Sequence, residues 1–224
     1  MSTARAGHAA PTPYAGHAAP IPSAGHAAPI PCAGHAALVL CAWGTALALC
    51  AGHAYAQPVT PPAEGTPFPA QGSVQYAFSP GRDGATMIIE AIDGAQAQVL
   101  VQAYSFTHRR IAAALIRAQR RGVDVAVIAD DGQTRGAQAK LFRSLRNARI
   151  DVRLDSQHSA AHDKVIVIDA DSPTCAVITG SYNFTHAAEE KNAENVLLLR
   201  GNRPLCAAYR GHWRRHQLHA LPVR

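Results

Sequence analysis

Strand-like runs recur from residue 73 to residue 199, and they constrain the fold more than any other feature. The stretch 98–106 alternates and is apolar enough for a buried strand, while 123–129 reads Val-Asp-Val-Ala-Val-Ile-Ala. Further short runs of strand composition occupy 73–78, 150–154, 164–168, 176–179 and 195–199. Sheets built from such runs need covering layers, and the intervening segments supply them. Met87, Ile88, Ile89 and Ile92 fit one helical face. Ile111, Leu115 and Ile116 mark a second helix that Gly122 ends, 138–147 reads as a third, and 204–216 as the last. Strands alternating with helices of this length predict an α/β domain, a β-sheet flanked by helices on both faces. The later strands lack helical crossovers, so the sheet is expected to be mixed.

The first third has a different character. Residues 1–35 repeat Ala-Gly-His-Ala-Ala at a nine-residue period, placing His8, His17, His26 and His35. This Ala/Gly/Pro-rich tract has no apolar periodicity and is expected to be disordered. Nine-residue spacing presets no coordination geometry, so the four histidines read as a repetitive tract rather than a metal site. Residues 36–56 combine an uncharged apolar run with Ala54-Tyr55-Ala56, an A-x-A cleavage site before Gln57. That is the form of a secretory signal peptide and is short for a membrane span. The expectation is export to the periplasm or medium. Lipoprotein anchoring at Cys50 is disfavoured by Leu49 just before it, and retention of the apolar run as an anchor is the lesser reading. Residues 57–72 form a Pro-rich linker, which leaves 73–224 as the compact domain.

The net charge is +6 at a pI of about 9.3, a balance that favours polyanionic partners. Eighteen of the 21 cationic residues are arginine, so Lys164 stands out. It lies in His162-Asp163-Lys164, the head of an HxKxxxxD pattern ending at Asp169, with Gly180-Ser181-Tyr182-Asn183 and Glu194 downstream. On an extended chain i and i+2 share a face, so His162 and Lys164 point one way and Asp163 the other. Asp169, an odd seven positions from His162, should leave that face, which gives it a structural or supporting part. Ser181 and Asn183 share a face, and Gly180 lets backbone approach a ligand without a side chain intervening. A nucleophile, a fixed cation and polar donors around one small anion are what phosphodiester cleavage requires.

His162-x-Lys164-x₄-Asp169 with Gly180-Ser181-x-Asn183 resembles the phospholipase D superfamily. The stretch from Val74 to Trp213 is similar to its small single-motif bacterial endonucleases, of the kind carried on conjugative plasmids. The resemblance implies a phospholipase D-like domain in which His162 attacks phosphorus and forms a phosphohistidine. It makes Lys164, Asn183 and Ser181 hold the non-bridging oxygens, and Glu194 orient the histidine. Asp169 enters the catalytic set only as the motif's last residue. No metal or other cofactor is implied, because Lys164 and the polar donors fill the role of Mg²⁺ elsewhere, and residues 73–224 show no clustered carboxylates or Cys/His ligand set in sequence. Such chemistry needs two histidines, and no second HxK occurs, so the expected assembly is a homodimer with a shared active site. Stable membrane insertion is not expected.

Other residues have plainer readings. Asp130-Asp131 is a turn or helix cap rather than a metal site, and His158 and His186, which flank the site in sequence, read as loop or cap residues ahead of substrate contacts. Tyr104 and Phe106, which bracket Ser105 at strand spacing, read as core ahead of base-stacking platforms. Arg109, Arg110, Arg117, Arg120 and Arg121, like Arg210, Arg214 and Arg215 near Trp213, are either solvated helix faces or contacts to nucleic acid. Cys175 and Cys206 either pair after export or stay as buried thiols. The leading functional expectation is a nuclease acting on DNA or RNA with little sequence specificity. A lipid phosphodiesterase is the alternative, and an inert nucleic-acid-binding module the third. The polar run 155–159 favours nucleic acid over lipid.

Overall fold

The computed structural model describes residues 59–81 and 83–223. The repeat tract and the signal segment lie outside the described residues. Among the described residues, eight strands and five helices follow one another, first β1 (Ser73–Ser79), α1 (Asp83–Asp93), β2 (Gln98–Ala103), α2 (Arg109–Arg120), β3 (Asp124–Asp130), α3 (Gly136–Asn147) and β4 (Asp151–Asp155). Then come β5 (Lys164–Ile168), β6 (Ala176–Gly180), α4 (His186–Glu190), β7 (Glu194–Arg200), α5 (Arg203–Gln217) and β8 (Leu221–Pro222). All form one sheet in the order β1-β7-β6-β5-β2-β3-β4-β8. The pairs β2–β3 and β3–β4 are parallel, joined by helical crossovers, and every other pair is antiparallel. The expected mixed sheet is therefore present, with the parallel part where helices intervene.

Side-chain alternation explains the layers. Val99, Val101, Val125, Val127, Ile166 and Ile168 face one way and pack under Ile88 and Ile92 of α1, Leu115 of α2 and Leu145 of α3. Leu100, Ala126, Ile128, Val165 and Val167 face the other way and meet Cys206 and Trp213 of α5. The Trp213 indole also donates to the Val101 carbonyl at 3.0 Å. Strands buried on both faces read as nearly continuous apolar runs, which is why 123–129 was legible. The two elements that periodicity did not show, α4 and β8, have five and two residues, too few to display a period.

Cys175 and Cys206 form a disulfide across 31 residues, tying α5 to the start of β6. Closing a loop of that length removes unfolded-chain entropy equivalent to about 3–4 kcal/mol. The Cys175→Ala/Cys206→Ala double variant should therefore lose roughly that much unfolding free energy in urea melts, and reduction of the parent protein should reproduce the loss. The Pro-rich segment is held against the domain where it is described. The Arg215 guanidinium pairs with Glu64 at 2.6 Å, and Asn202 donates to the Pro69 carbonyl at 3.5 Å. Among the described residues no helix is long and apolar enough to cross a membrane.

Candidate active site

The site lies where β5 begins beside the C-terminal end of β2. Register pairs Ala103 with Lys164, and the Tyr104 N–H donates to the Asp163 carbonyl at 2.8 Å, extending the pairing one residue further. His162 itself precedes the regular strand, yet its side chain meets that of Lys164, as the i, i+2 spacing predicts. The Lys164 ammonium stands 2.9 Å from His162 Nδ1 and also donates to the His162 carbonyl. Asp163 points away, toward Gln102 and His212, each 3.2 Å from its Oδ2. The Tyr104 ring lies under both groups, its centroid 4.3 Å from the His162 ring and 4.9 Å from the ammonium. Reading Tyr104 as plain core missed this. The only signal was its place one step past the Ala103–Lys164 pair, which requires knowing that β2 and β5 are neighbours.

The second half of the site follows β6. Gly180 has φ of 153°, and a Cβ there would stand 2.3 Å from the Asn195 carbonyl oxygen. Glycine is thus demanded by the backbone of β7, at a position that also lines the cavity. The Ser181 and Tyr182 N–H groups both donate to that carbonyl, at 3.1 and 3.2 Å. Tyr182 and Phe184 then alternate inward. The Tyr182 hydroxyl donates to Glu189, and the Phe184 ring meets Phe106 at 5.7 Å between centroids. Asn183 between them is turned outward to the site, where its carboxamide oxygen is buried without a hydrogen-bond partner.

His162, Lys164, Ser181, Asn183 and Glu194, with Thr179 and Gly180, line one polar cavity of about 460 Å³. Two of these residues act differently from expectation. The Ser181 hydroxyl gives its single proton to Glu194 Oε2 at 2.6 Å and accepts from the Asn195 N–H at 3.1 Å, so Ser181 places Glu194 instead of presenting a donor to an anion. The other Glu194 oxygen accepts from Asn192 at 2.9 Å. Glu194 therefore does not hold the His162 ring here, and its charge acts on Lys164. Asp169 has the supporting part that its spacing predicts, and it leaves the catalytic set in which only the motif had placed it. It stands at the far end of β5, with φ of 47°, and its carboxylate accepts the N–H groups of Gln96, Ala97 and Gln98, each at 2.8 Å. It closes the entry to β2 and takes no part in the cavity.

Lys164 is buried, and burial lowers its pKa despite the opposing charges of Asp163 and Glu194. Only the ammonium form can offset charge on a phosphate. Activity should accordingly fall, as pH rises, at a pH below the ordinary lysine range. In pH–rate profiles, Lys164→Arg, whose guanidinium does not titrate there, should lose this alkaline limb while keeping reduced activity.

The remaining candidates sort by their contacts. Asp130 accepts from the Gln133 and Ala161 N–H groups, both at 2.8 Å, as a turn residue should. Thr185 rather than His186 caps α4, accepting from the Ala188 N–H at 3.1 Å. Arg117 and Arg121 pair with Asp93, Arg210 with Asp171 and Arg215 with Glu64, so these four are committed within the domain. Arg110, Arg120 and Arg214 stay exposed. The structure does assemble a ligand-type set that sequence spacing hid: Asp155 and His158 from the end of β4 meet His216 and His219 from the end of α5. Burial pushes the Asp155 carboxyl up, but hydrogen bonds from the three imidazoles outweigh it and hold the group well below the usual carboxylate range.

A paired imidazole and ammonium before a polar cavity, on a mixed sheet with helices on both faces, define a phosphodiesterase site. The family described as "Cardiolipin synthase, PLD-like domain" matches residues 88–216. The chain belongs to the phospholipase D superfamily and is a phosphodiesterase of it. It is 38% identical over 144 residues to a protein of Rickettsia prowazekii named "Phospholipase D", which is 64% of this chain and 67% of that protein. It is 34% identical over 105 residues to a "Mitochondrial cardiolipin hydrolase" of Xenopus laevis, 47% of this chain and 48% of that protein. The crystal structure of Nuc from Salmonella typhimurium, a phospholipase D family member, superposes with a TM-score of 0.65 at 36% identity, covering 68% of this chain and 98% of that chain.

Proposed function

We propose that this phosphodiesterase hydrolyses nucleic acid, DNA or RNA, with little sequence preference, through a phosphohistidine on His162. The observation that carries the reading is the His162–Lys164 pair facing a cavity lined by polar groups, on a basic chain whose polar run 155–159 precedes the pair in sequence. In the resting site the ammonium occupies His162 Nδ1. A phosphodiester offers it an anionic oxygen, a stronger acceptor than an imidazole, and this frees Nδ1 to carry the ring proton. Nε2 then holds the attacking lone pair. Lys164 neutralises charge that develops on the non-bridging oxygens, and the Asn183 amide NH2, rather than its acceptor oxygen, is the group that donates to a phosphate oxygen. The chemical step needs no metal in this scheme, so cleavage should survive excess EDTA.

Attack and leaving-group protonation take place on opposite sides of phosphorus, so one imidazole does not serve both in a single step. A two-fold dimer that brings two copies of His162 together supplies the missing acid. An apolar stripe supports it. Val74, Tyr76, Phe78 and Leu197 are exposed on one face of β1 and β7, at the end of the sheet that α5 leaves uncovered. The stripe runs toward the Ser79–Glu194 pair at the cavity. The same stripe favours a second reading, a lipid phosphodiesterase that rests it on a membrane.

One experiment separates the readings. Plasmid DNA, RNA and phosphatidylcholine vesicles are offered in parallel to the parent protein and to Tyr76→Glu/Phe78→Glu. The dimeric nuclease reading expects nucleic-acid cleavage by the parent, and its loss together with a monomeric sedimentation coefficient in the variant. Vesicle hydrolysis alone, or a variant monomer that still cleaves DNA fully, sinks it. Export with cleavage before Gln57 belongs to the same proposal. The Cys175–Cys206 disulfide supports it because such bonds persist in oxidising compartments, and N-terminal sequencing of the secreted or periplasmic protein tests it.

A further inference from the structure

Asp155, outside the catalytic cavity, receives more hydrogen bonds on one atom than that atom accommodates. Its side chain is fully buried, and its Oδ2 stands 2.9 Å from His158 Nδ1, 2.8 Å from His216 Nδ1 and 3.1 Å from His219 Nε2. Its Oδ1 already accepts from the N–H groups of Gln157 and His158, at 3.0 and 3.4 Å. A carboxylate oxygen has about two lone-pair sites, so three imidazoles converging on Oδ2 oversubscribe it. An ion at the centre of the group removes the conflict, since each ring then presents a lone pair instead of a proton.

We propose that Asp155, His158, His216 and His219 form a structural site for a zinc-class transition-metal dication. A tetrahedral Zn²⁺ with ligands at about 2.0–2.1 Å sets its ligand atoms roughly 3.3–3.4 Å apart. The three Asp155–His separations need to open by only a few tenths of an ångström, and all four ligand atoms already lie within 4.8 Å of one another. Three imidazoles and one carboxylate suit zinc rather than Ca²⁺ or Mg²⁺, which take oxygen ligands. The backbone N–H groups on Oδ1 orient the carboxylate from behind, as partners of metal ligands commonly do. His158, with a side chain 47% exposed, opens an entry path. The second group of potential ligands, Asp163, His212 and His216, offers only three and shares His216, so it is not the site assigned here. The ion would clip the end of α5 to β4, next to the short β4–β8 pairing.

The test uses the full-length protein stripped with EDTA and dialysed. Zn²⁺ is titrated by calorimetry, and Co²⁺ serves as the spectroscopic probe. The expected result is one strong site per chain, with the intense visible bands of tetrahedral Co²⁺, and a melting temperature raised by roughly 5–10 °C at a hundredfold excess of Zn²⁺ over Kd. His158→Ala and His219→Ala, which remove partly exposed rings, should weaken that site at least about 100-fold. Binding to the histidines of the repeats is unaffected by either substitution. No stoichiometric site, an octahedral Co²⁺ spectrum, or affinity unchanged in both variants would overturn the proposal, leaving the imidazoles as hydrogen-bond donors only. The reading of the His162 site is judged separately, by cleavage with stripped protein well below its melting temperature.

Discussion

His162→Asn should fold as the parent does and turn over phosphodiester substrate at least about 10⁴-fold more slowly. His162 is exposed, and its contacts are the Tyr104 ring and the Lys164 ammonium. Losing the imidazole therefore removes little burial, and the melting temperature should hold within about 2 °C. The chemical loss is of another order, because no other side chain described at the cavity offers a basic neutral nitrogen as nucleophile. Ser181 has spent its proton on Glu194, Glu194 is held by Ser181 and Asn192, and Lys164 is needed as a cation. Acid-quenched parent enzyme should carry a phosphorylated histidine that the variant lacks. A variant retaining more than a tenth of the parent kcat would show that the nucleophile lies elsewhere.

Asp169→Ala should leave the catalytic cavity intact and destabilise the fold by about 3–5 kcal/mol. The carboxylate accepts three backbone N–H groups at the entry to β2, and alanine abandons all three. The residue also sits at φ of 47°, where aspartate and asparagine are tolerated and alanine adds roughly 1 kcal/mol of strain. Asp169→Asn keeps one acceptor oxygen and should fall between parent and alanine. The check is urea denaturation of the three proteins, with kcat measured well below their melting temperatures. A kcat that drops in parallel with charge loss, at unchanged stability, would return Asp169 to the chemistry.

These two residues belong to one motif, and its spacing already separated them. His162 and Lys164 are two apart and share a face, whereas Asp169 is seven from His162 and does not. The extended chain has a period of two wherever it runs, so this much needs no tertiary contact. The same local physics makes the strand and helix boundaries legible, because apolar runs and helical faces are imposed by one layer of burial. Ser181 shows the opposite case. Its face follows from spacing, but which acceptor claims its hydroxyl depends on β7, whose Glu194 lies thirteen residues away.

The sequence alone determined the α/β class, the residues that line the sheet, and the adjacency of imidazole and ammonium, since all three follow from backbone periodicity and steric preference over a few residues. Only the tertiary structure decided the strand order, the pairing of Cys175 with Cys206, the place of Tyr104 beneath His162, and the meeting of Asp155 with three histidines. Each of those joins segments whose approach is set by summed packing over the whole sheet, a quantity that no short stretch of the chain contains.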